Sequence, residues 1–386
     1  MQKKLLAVAV AGALASPLAM AQSAVTISGV FKVGIDNYRV SNSTRAGNKS
    51  ETRVTDNSSR MIFGITEDLG GGLSGIAQLD ARPQLDDAGG NFAESGNTWV
   101  GIRSTSLGTI TLGRHDLHYG KQPDDTAALA GALMAASVSL MDFTENGQAI
   151  AGATRTSNVI RYDSPNWSGF AFTAAYSTNA TGDEADLSST QRKGNAWNFN
   201  PSYTTSNWQV GWSHWRRKAD APSAAGTFTL NATTGVVAAG TPSAGSADQE
   251  SNSFYGFMRF GAIKVGLGIN QSEVENPLTG AKTQDRRAWT VPVSWTAGPH
   301  HLAGHYTRAG DDDITGNESG ANMFAIAYSY LLSKRTSVGL TYARINNDTN
   351  AAYNFFTNTG GLGSTSSTMT NGEDGRLLAL TVRHSF

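Results

Sequence analysis

About 16 stretches of period-two hydrophobic alternation, connections that alternate strictly between short and long, and aromatic residues near the stretch ends predict an all-β fold. Together they specify a 16-stranded antiparallel up-and-down transmembrane β-barrel. Successive side chains of a strand point to opposite faces, so each stretch has one apolar side and one polar side. Of 386 residues, 30 are Lys or Arg and 31 are Asp or Glu, giving a formal net charge of -1. That balance excludes a wholesale polyanion binder, so nucleic acid is not an expected partner. With no cysteine, the chain has no disulfide scaffold, thiolate metal site or Cys nucleophile. The negative mean hydropathy argues against a bundle of membrane helices. A barrel remains open, because alternation dilutes its apolar positions twofold.

The N-terminus reads as a cleavable export signal. Lys3 and Lys4 precede the 11-residue apolar run Leu5–Ala15, and Ala19-Met20-Ala21 offers small residues where a signal peptidase reads. A membrane anchor needs about 20 apolar residues. Cleavage is expected after Ala21, which divides the chain into a signal, 1–21, and one barrel domain, 22–386.

The predicted strands lie near residues 25–40, 57–67, 73–84, 96–104, 108–116, 153–163, 168–178, 193–204, 207–218, 251–260, 263–273, 284–296, 299–310, 320–332, 335–347 and 375–386. In the first, Val25, Ile27, Gly29, Phe31, Val33 and Ile35 share one face, and Thr26, Ser28, Val30, Lys32 and Gly34 share the other. In the last, Leu378, Leu380, Val382, His384 and Phe386 alternate with Ala379, Thr381, Arg383 and Ser385. Short turns such as Thr105–Leu107 and Gly261–Ala262 alternate with long polar loops such as Ala219–Glu250 and Asp348–Asp374. Seven short and eight long connections place both termini at the short-turn end. A soluble β-sandwich also alternates, but its loop lengths need not keep step. Nor does it need aromatic girdles, here assigned to Trp99, Trp167, Trp208, Trp215, Trp295, Tyr328, Tyr330 and Tyr342. Pro292 interrupts a strand and needs an edge or a bulge.

The third long connection differs from the rest. Asp124-Asp125-Thr126 forms a plausible helix cap, and Ala127–Met141 is an uncharged run of high helix propensity. It is too short to span a bilayer and too apolar to stand in water, so it is expected to fold against the inner wall. This would bring Asp124, Asp125, Asp142 and Glu145 into the channel. Opposite them, Lys32, Arg60, Arg82, Arg155 and Arg161 fall on the polar parity of their strands. Strict alternation would put Arg114 on the lipid face at a cost of about 2–4 kcal/mol, so a bulge at Gly113 is expected to turn it inward.

Other motifs fail on context. Gly70-Gly71-Gly72-Leu73-Ser74-Gly75 matches a dinucleotide fingerprint but runs into a strand, so a tight hairpin is expected. His301 and His305 lie about 13 Å apart along a strand, too far to share a metal. Asp311, Asp313 and Gly316 resemble a calcium loop, but Thr315 and Asn322 occupy positions that want other ligands. No cofactor and no catalytic constellation is expected.

The chain resembles the general porins of Gram-negative outer membranes, of the betaproteobacterial type. The likeness lies in Val25-Thr26-Ile27-Ser28-Gly29, the run Gly64–Leu73, Gly108-Thr109-Ile110-Thr111-Leu112-Gly113-Arg114, the run Asn158–Pro165, the run Tyr328–Thr336 and the terminal Phe386. The third long loop lacks the Pro-Glu-Phe-Gly-Gly signature of enterobacterial relatives. The resemblance implies a 16-stranded barrel in the outer membrane, a homotrimer, and passive diffusion of ions and small hydrophilic solutes. It also implies an inward-folded third loop and an assembly role for Phe386 with the outer-membrane machinery. Membrane lipid and lipopolysaccharide are expected partners. Arg60, Arg114 and Arg155 match the family's constriction arginines, flanked by Lys32 and Arg82. The expected filter is an arginine wall opposite loop acids, with mild anion preference. A substrate-specific channel and a barrel enzyme are the alternatives.

Overall fold

A computed structural model describes residues 24–43, 49–86, 96–143, 155–180, 194–219, 229–230, 237–238, 247–277, 279–356 and 369–386. The export signal, residues 1–21, and Glu145 lie outside the described residues. The barrel strands are β1 (Ala24–Ser41), β2 (Ser50–Asp56 continued by Arg60–Gly70), β3 (Leu73–Ala81), β4 (Trp99–Ser104), β5 (Gly108–His115), β6 (Thr156–Asp163), β7 (Phe170–Ser177) and β8 (Ala196–Thr204). They continue as β9 (Trp208–Arg217), β10 (Asp248–Phe260), β11 (Ile263–Glu275), β12 (Lys282–Ala297), β13 (His300–Ala309), β14 (Ala321–Leu331), β15 (Thr336–Asn347) and β16 (Asp374–Ser385). Each strand pairs antiparallel with its neighbours in sequence, and β1 pairs with β16 from Val30↔Ser385 to Ser41↔Asp374. The sheet therefore closes as a 16-stranded barrel with no free edge. The two parts of β2 share β1 as a partner, so the break at Asn57–Ser59 interrupts one strand rather than adding another.

Burial runs opposite to that of a water-soluble protein. Ile27, Ile102, Ile110, Leu112, Val210, Leu267, Leu340 and Leu380 are exposed, while Thr111, Ser213, Ser253, Asn270, Thr290, Thr341 and Thr381 are buried. The apolar side of each ribbon thus faces outward, as an acyl-chain environment requires. Trp167, Tyr203, Trp208, Trp295, Tyr328 and Tyr330 form an exposed aromatic ring toward the short-turn end. Trp99 and Trp215 do not join it. Trp99 stacks on the buried His115 at 6.0 Å. Trp215 is fully buried with Leu117, Val159, Ala175 and Ala196 on the lumenal side. Their parity, not their closeness to a strand end, decides which face they serve. The glycines at 70–72 all have positive φ and make the tight turn between β2 and β3.

Pro292 sits at neither an edge nor a bulge. It pairs with His305 on one side, while on the other the ladder lapses between Val265↔Val293 and Gly268↔Thr290 with no change of register. Opposite it, a Cβ on Gly266 would meet Pro292 Cγ at 2.9 Å and Pro123 Cγ at 2.5 Å. A missing donor is tolerated where the partner is a glycine pressed against loop 3, the connection from β5 to β6.

Loop 3 lies against the inner wall, as its composition requires, but Ala127–Met141 is not one helix. It holds a 3-10 turn, Leu133–Ala135, and a single helical turn, Val138–Met141. The wall's side chains take hydrogen bonds that a helix would keep internal. Lys32 Nζ donates to the carbonyls of Ala127 at 3.1 Å and Gly131 at 3.0 Å. The Ala132 N–H donates to Thr341 Oγ1 at 3.0 Å and the Leu133 N–H to Asn57 Oδ1 at 2.9 Å. His305 Nε2 lies 2.9 Å from the Ala135 carbonyl. Tertiary contact outweighs propensity here. Ala132, Ala135, Leu140 and Met141 pack against Ala288, Ala309, Ala321, Ala325, Ala343 and Ala379, so the wall is small and apolar beneath the loop. At Gly339 a Cβ would sit 2.6 Å from the Ala130 carbonyl.

Candidate functional site

Because loop 3 docks on β1 and β11–β15, the wall formed by β2–β6 is left facing it. Arg60 begins the second part of β2 and Arg82 follows β3. The charges acting on Arg60 are those of Arg82, Asp80, Asp116 and Arg155, which brings these groups into one cluster. Arg82 is held bidentately by Asp80, with both contacts at 2.8 Å, and donates to Ser58 Oγ at 2.9 Å. Arg60, Arg114 and Arg155 make no ion pair among the described residues, and Arg60 Nε is buried without a hydrogen-bond partner.

The register slips near Arg114, between Gly113↔Val159 and His115↔Thr156. The extra residue is on β6, where Asn158 has φ 56, and Gly113 answers it with φ 146. The bulge therefore lies on the partner strand. Arg114 is half-buried, unlike the exposed Ile110 and Leu112, and its Nε donates to the Arg155 carbonyl at 3.1 Å. Arg155 has φ 51, and its N–H donates to Asp116 Oδ1 at 2.6 Å.

Other predicted residues serve the scaffold. Lys32 is buried and tethers loop 3. Arg161 pairs with Asp163 at 2.8 Å near the short-turn end. Asp124 accepts the Thr126 and Ser137 N–H groups at 2.8 and 2.7 Å, which folds the loop on itself. Asp125 accepts from Lys264 at 2.5 Å and from Ser294 at 2.6 Å, pinning the loop to β11 and β12. Asp124 is buried by these contacts, while Asp125 keeps part of its surface open.

Asp142 is different. Its Oδ2 accepts the Gly120 N–H at 2.9 Å. Burial pushes its carboxyl up to about 6, with Gly120 and the Arg286 and Lys121 charges opposing the shift. Lys121 is lowered to about 8 by burial and by Arg161, so it remains mostly charged at pH 7. Burial, with Lys121 and His214, drives His118 down to about 3. Neutral His118 then hydrogen-bonds Ser213 and Ser251, each at 2.8 Å.

Three groups central to this arrangement were not singled out from the sequence: Asp116, Lys264 and Arg286. Arg286 is buried and donates to the carbonyls of Leu140 at 2.7 Å, Met141 at 2.9 Å and Phe143, and to Tyr353 Oη at 3.1 Å. Its parity on β12 was legible, but its carbonyl partners are backbone groups that carry no sequence signal. Tyr353 belongs to the eighth long loop, between β15 and β16. There Phe356 donates its N–H to Ser139 Oγ at 2.8 Å and packs on Tyr119 and Phe143, with ring centroids at 5.7 and 5.8 Å. Loops 3 and 8 thus meet in an aromatic cluster. Charges of Asp142, Asp116, Arg155 and Arg82 act on its Tyr119 hydroxyl.

Residues 7–350 match the family described as Gram-negative porin. An outer membrane porin protein of Bordetella pertussis is 28% identical over 203 residues, covering 48% of this chain and 50% of that protein, so the match spans about half the relative's length. Among solved structures, an anion-selective porin from Comamonas acidovorans superposes with a TM-score of 0.73 at 20% identity, over 95% of this chain and 100% of that one. OmpT of Vibrio cholerae, in a trimer form, superposes at 0.62 with 14% identity, over 94% and 99% of the two chains.

Proposed function

From the premise that this chain belongs to the Gram-negative porin family and forms an outer-membrane β-barrel, we propose that it is a general diffusion channel for ions and small hydrophilic solutes. The observation that carries this reading is the set of Arg60, Arg114 and Arg155, without an ion pair among the described residues, on the wall facing a docked loop. Solutes cross such a lumen without conformational work, so the field at its narrowest level sorts them. Guanidinium groups stay charged at any relevant pH. Against them the described lumenal acids are mostly occupied, which supports a mild anion preference. A homotrimer, an export signal over 1–21 and an assembly role for Phe386 belong to the same proposal. Phe386 pairs with Gly29 at 3.0 and 3.2 Å, and its ring lies 5.0 Å from that of Phe31.

Purified protein in a planar bilayer is expected to give steady conductance in KCl, steps grouped in threes, and a reversal potential favouring chloride. Strong cation preference would overturn the filter, and absence of current the channel. The aromatic cluster of Tyr119, Phe143 and Phe356 beside the arginines favours a second reading, a channel preferring organic anions. Saturable block by an organic acid in the same bilayer would select it.

Asp142 adds a pH dependence. Its raised carboxyl is ionised at pH 7 and takes up a proton as pH falls through about 6. Each protonation removes one negative charge from the lumen, so anion preference should rise between pH 7 and 5. Asp142→Asn should show the low-pH selectivity throughout and abolish the step. A step of equal size in that variant would assign the titration elsewhere.

A further inference from the structure

The first limb of loop 3 meets an aromatic ring and a cation at each of its two ends. Where it leaves β5, Asp116 accepts the Arg155 N–H at 2.6 Å, and the Arg155 guanidinium makes no ion pair among the described residues. Three residues on, Tyr119 carries its ring to Phe356, with centroids 5.7 Å apart. The charges of Arg155 and Arg82 act on its hydroxyl, which sets the ring beside the arginine wall. The following N–H, that of Gly120, donates to Asp142 and so brings Phe143 to the same cluster. Tyr119, Phe143 and Phe356 are each half-buried and keep part of their surface open.

From there the limb crosses to the far wall. A Cβ on Gly268 would meet Gln122 Cβ at 2.8 Å, and one on Gly266 would meet Pro123 Cγ at 2.5 Å. Gly266 is the register partner of Phe257 on β10, which has the inward parity of the buried Ser251 and Ser253. Arg259 Cζ lies 5.1 Å and Lys264 Nζ 5.5 Å from the centroid of the Phe257 ring. Lys264 is committed to Asp125, whereas Arg259 is exposed and makes no ion pair among the described residues.

Open rings in a water-filled passage do nothing for a hydrated ion. Apolar surface left exposed to water marks a place where something binds. A ring attracts a second ring edge-on or offset, and a guanidinium takes a carboxylate through paired N–H groups. An aliphatic acid uses only the cation, and a neutral aromatic only the ring. A flat ring bearing a carboxylate uses both.

We propose that the two ends of this limb are successive binding stations for aromatic carboxylates, one at Tyr119, Phe143 and Phe356 beside Arg155, the other at Phe257 with Arg259. The proposal rests on the second reading of the channel, a preference for organic anions, and names the anion.

The test is block of the KCl current of the full barrel in a planar bilayer, with benzoate, propionate or benzamide added in turn. Benzoate should block saturably at roughly one-tenth of the propionate concentration, and benzamide should not block. Phe356→Leu and Phe257→Leu keep apolar bulk and lose the ring, so each should narrow the gap between the two acids by roughly threefold. Arg259→Gln should weaken block by both acids. Phe254→Leu, on the lipid face of the same strand, should keep the parental gap. Equal block by the two acids, or block by benzamide to match benzoate, would overturn both stations, and an unaltered gap in either leucine variant would strike its own. Equal block would still leave an organic-anion channel without an aromatic site. No block by either acid, with the KCl current intact, would sink the second reading and the stations together while the diffusion channel stands.

Discussion

The double variant Arg60→Ala, Arg155→Ala is expected to lose the anion preference of the parent channel and to pass cations more readily. A unit charge about 7 Å from a passing ion contributes about 0.6 kcal/mol in a water-like dielectric. It attracts one sign and repels the other, so removing one arginine should change the permeability ratio by roughly sevenfold at low salt. Neither group has an ion-pair partner among the described residues, and the nearby Asp80 and Asp116 only partly offset their field. Arg82, clamped by Asp80, should matter less. In 1 M salt the screening length falls to about 3 Å and the difference should nearly vanish. The measurement is reversal potential across a salt gradient, for each single variant and the pair. Unchanged ratios in all three would remove these residues from the filter.

Arg286→Met is expected to release loop 3 and with it the inner end of loop 8. The guanidinium of Arg286 serves three loop carbonyls and the Tyr353 hydroxyl from a buried position. Leaving buried acceptors unsatisfied costs about 1–3 kcal/mol each, comparable with the low-stability end of local opening free energies. The barrel ladder does not depend on this residue, so the variant should fold and insert. Its unitary current should be larger and noisier, and protease should reach loop 3 sooner. A quiet channel of parental conductance would mean that Lys32, Asp125 and His305 hold the loop without it.

The strand plan was legible because a closed barrel repeats one local rule, and both period and turn chemistry are written in neighbouring residues. The predicted 25–40 and 335–347 became Ala24–Ser41 and Thr336–Asn347. The predicted 57–67 was cut short because Thr52 and Val54 lie beyond a break at Asn57–Ser59 that mimics a strand start. What failed was whatever depends on closure. Ala127–Met141 has the composition of a helix, yet its hydrogen-bond partners come from strands as distant as β15. Asp124 and Asp125 look like free acids in sequence, and only the docked loop assigns them to Ser137 and Lys264. Trp99 and Trp215 were given a face by their neighbourhood when parity should have decided. The arginine wall was readable because β2–β6 are consecutive and share one face. Which of its members are neutralised was not.

The seam between β1 and β16 has a consequence for biogenesis. Val30 meets Ser385, so the opening ribbon has no second neighbour until β16 has been made. Contacts of such sequence separation make slow folding, because the entropy of closing the ring comes before its reward. Until then the polypeptide carries two naked borders able to recruit any extended chain. A product interrupted before Asp374 therefore keeps one border of β1 open.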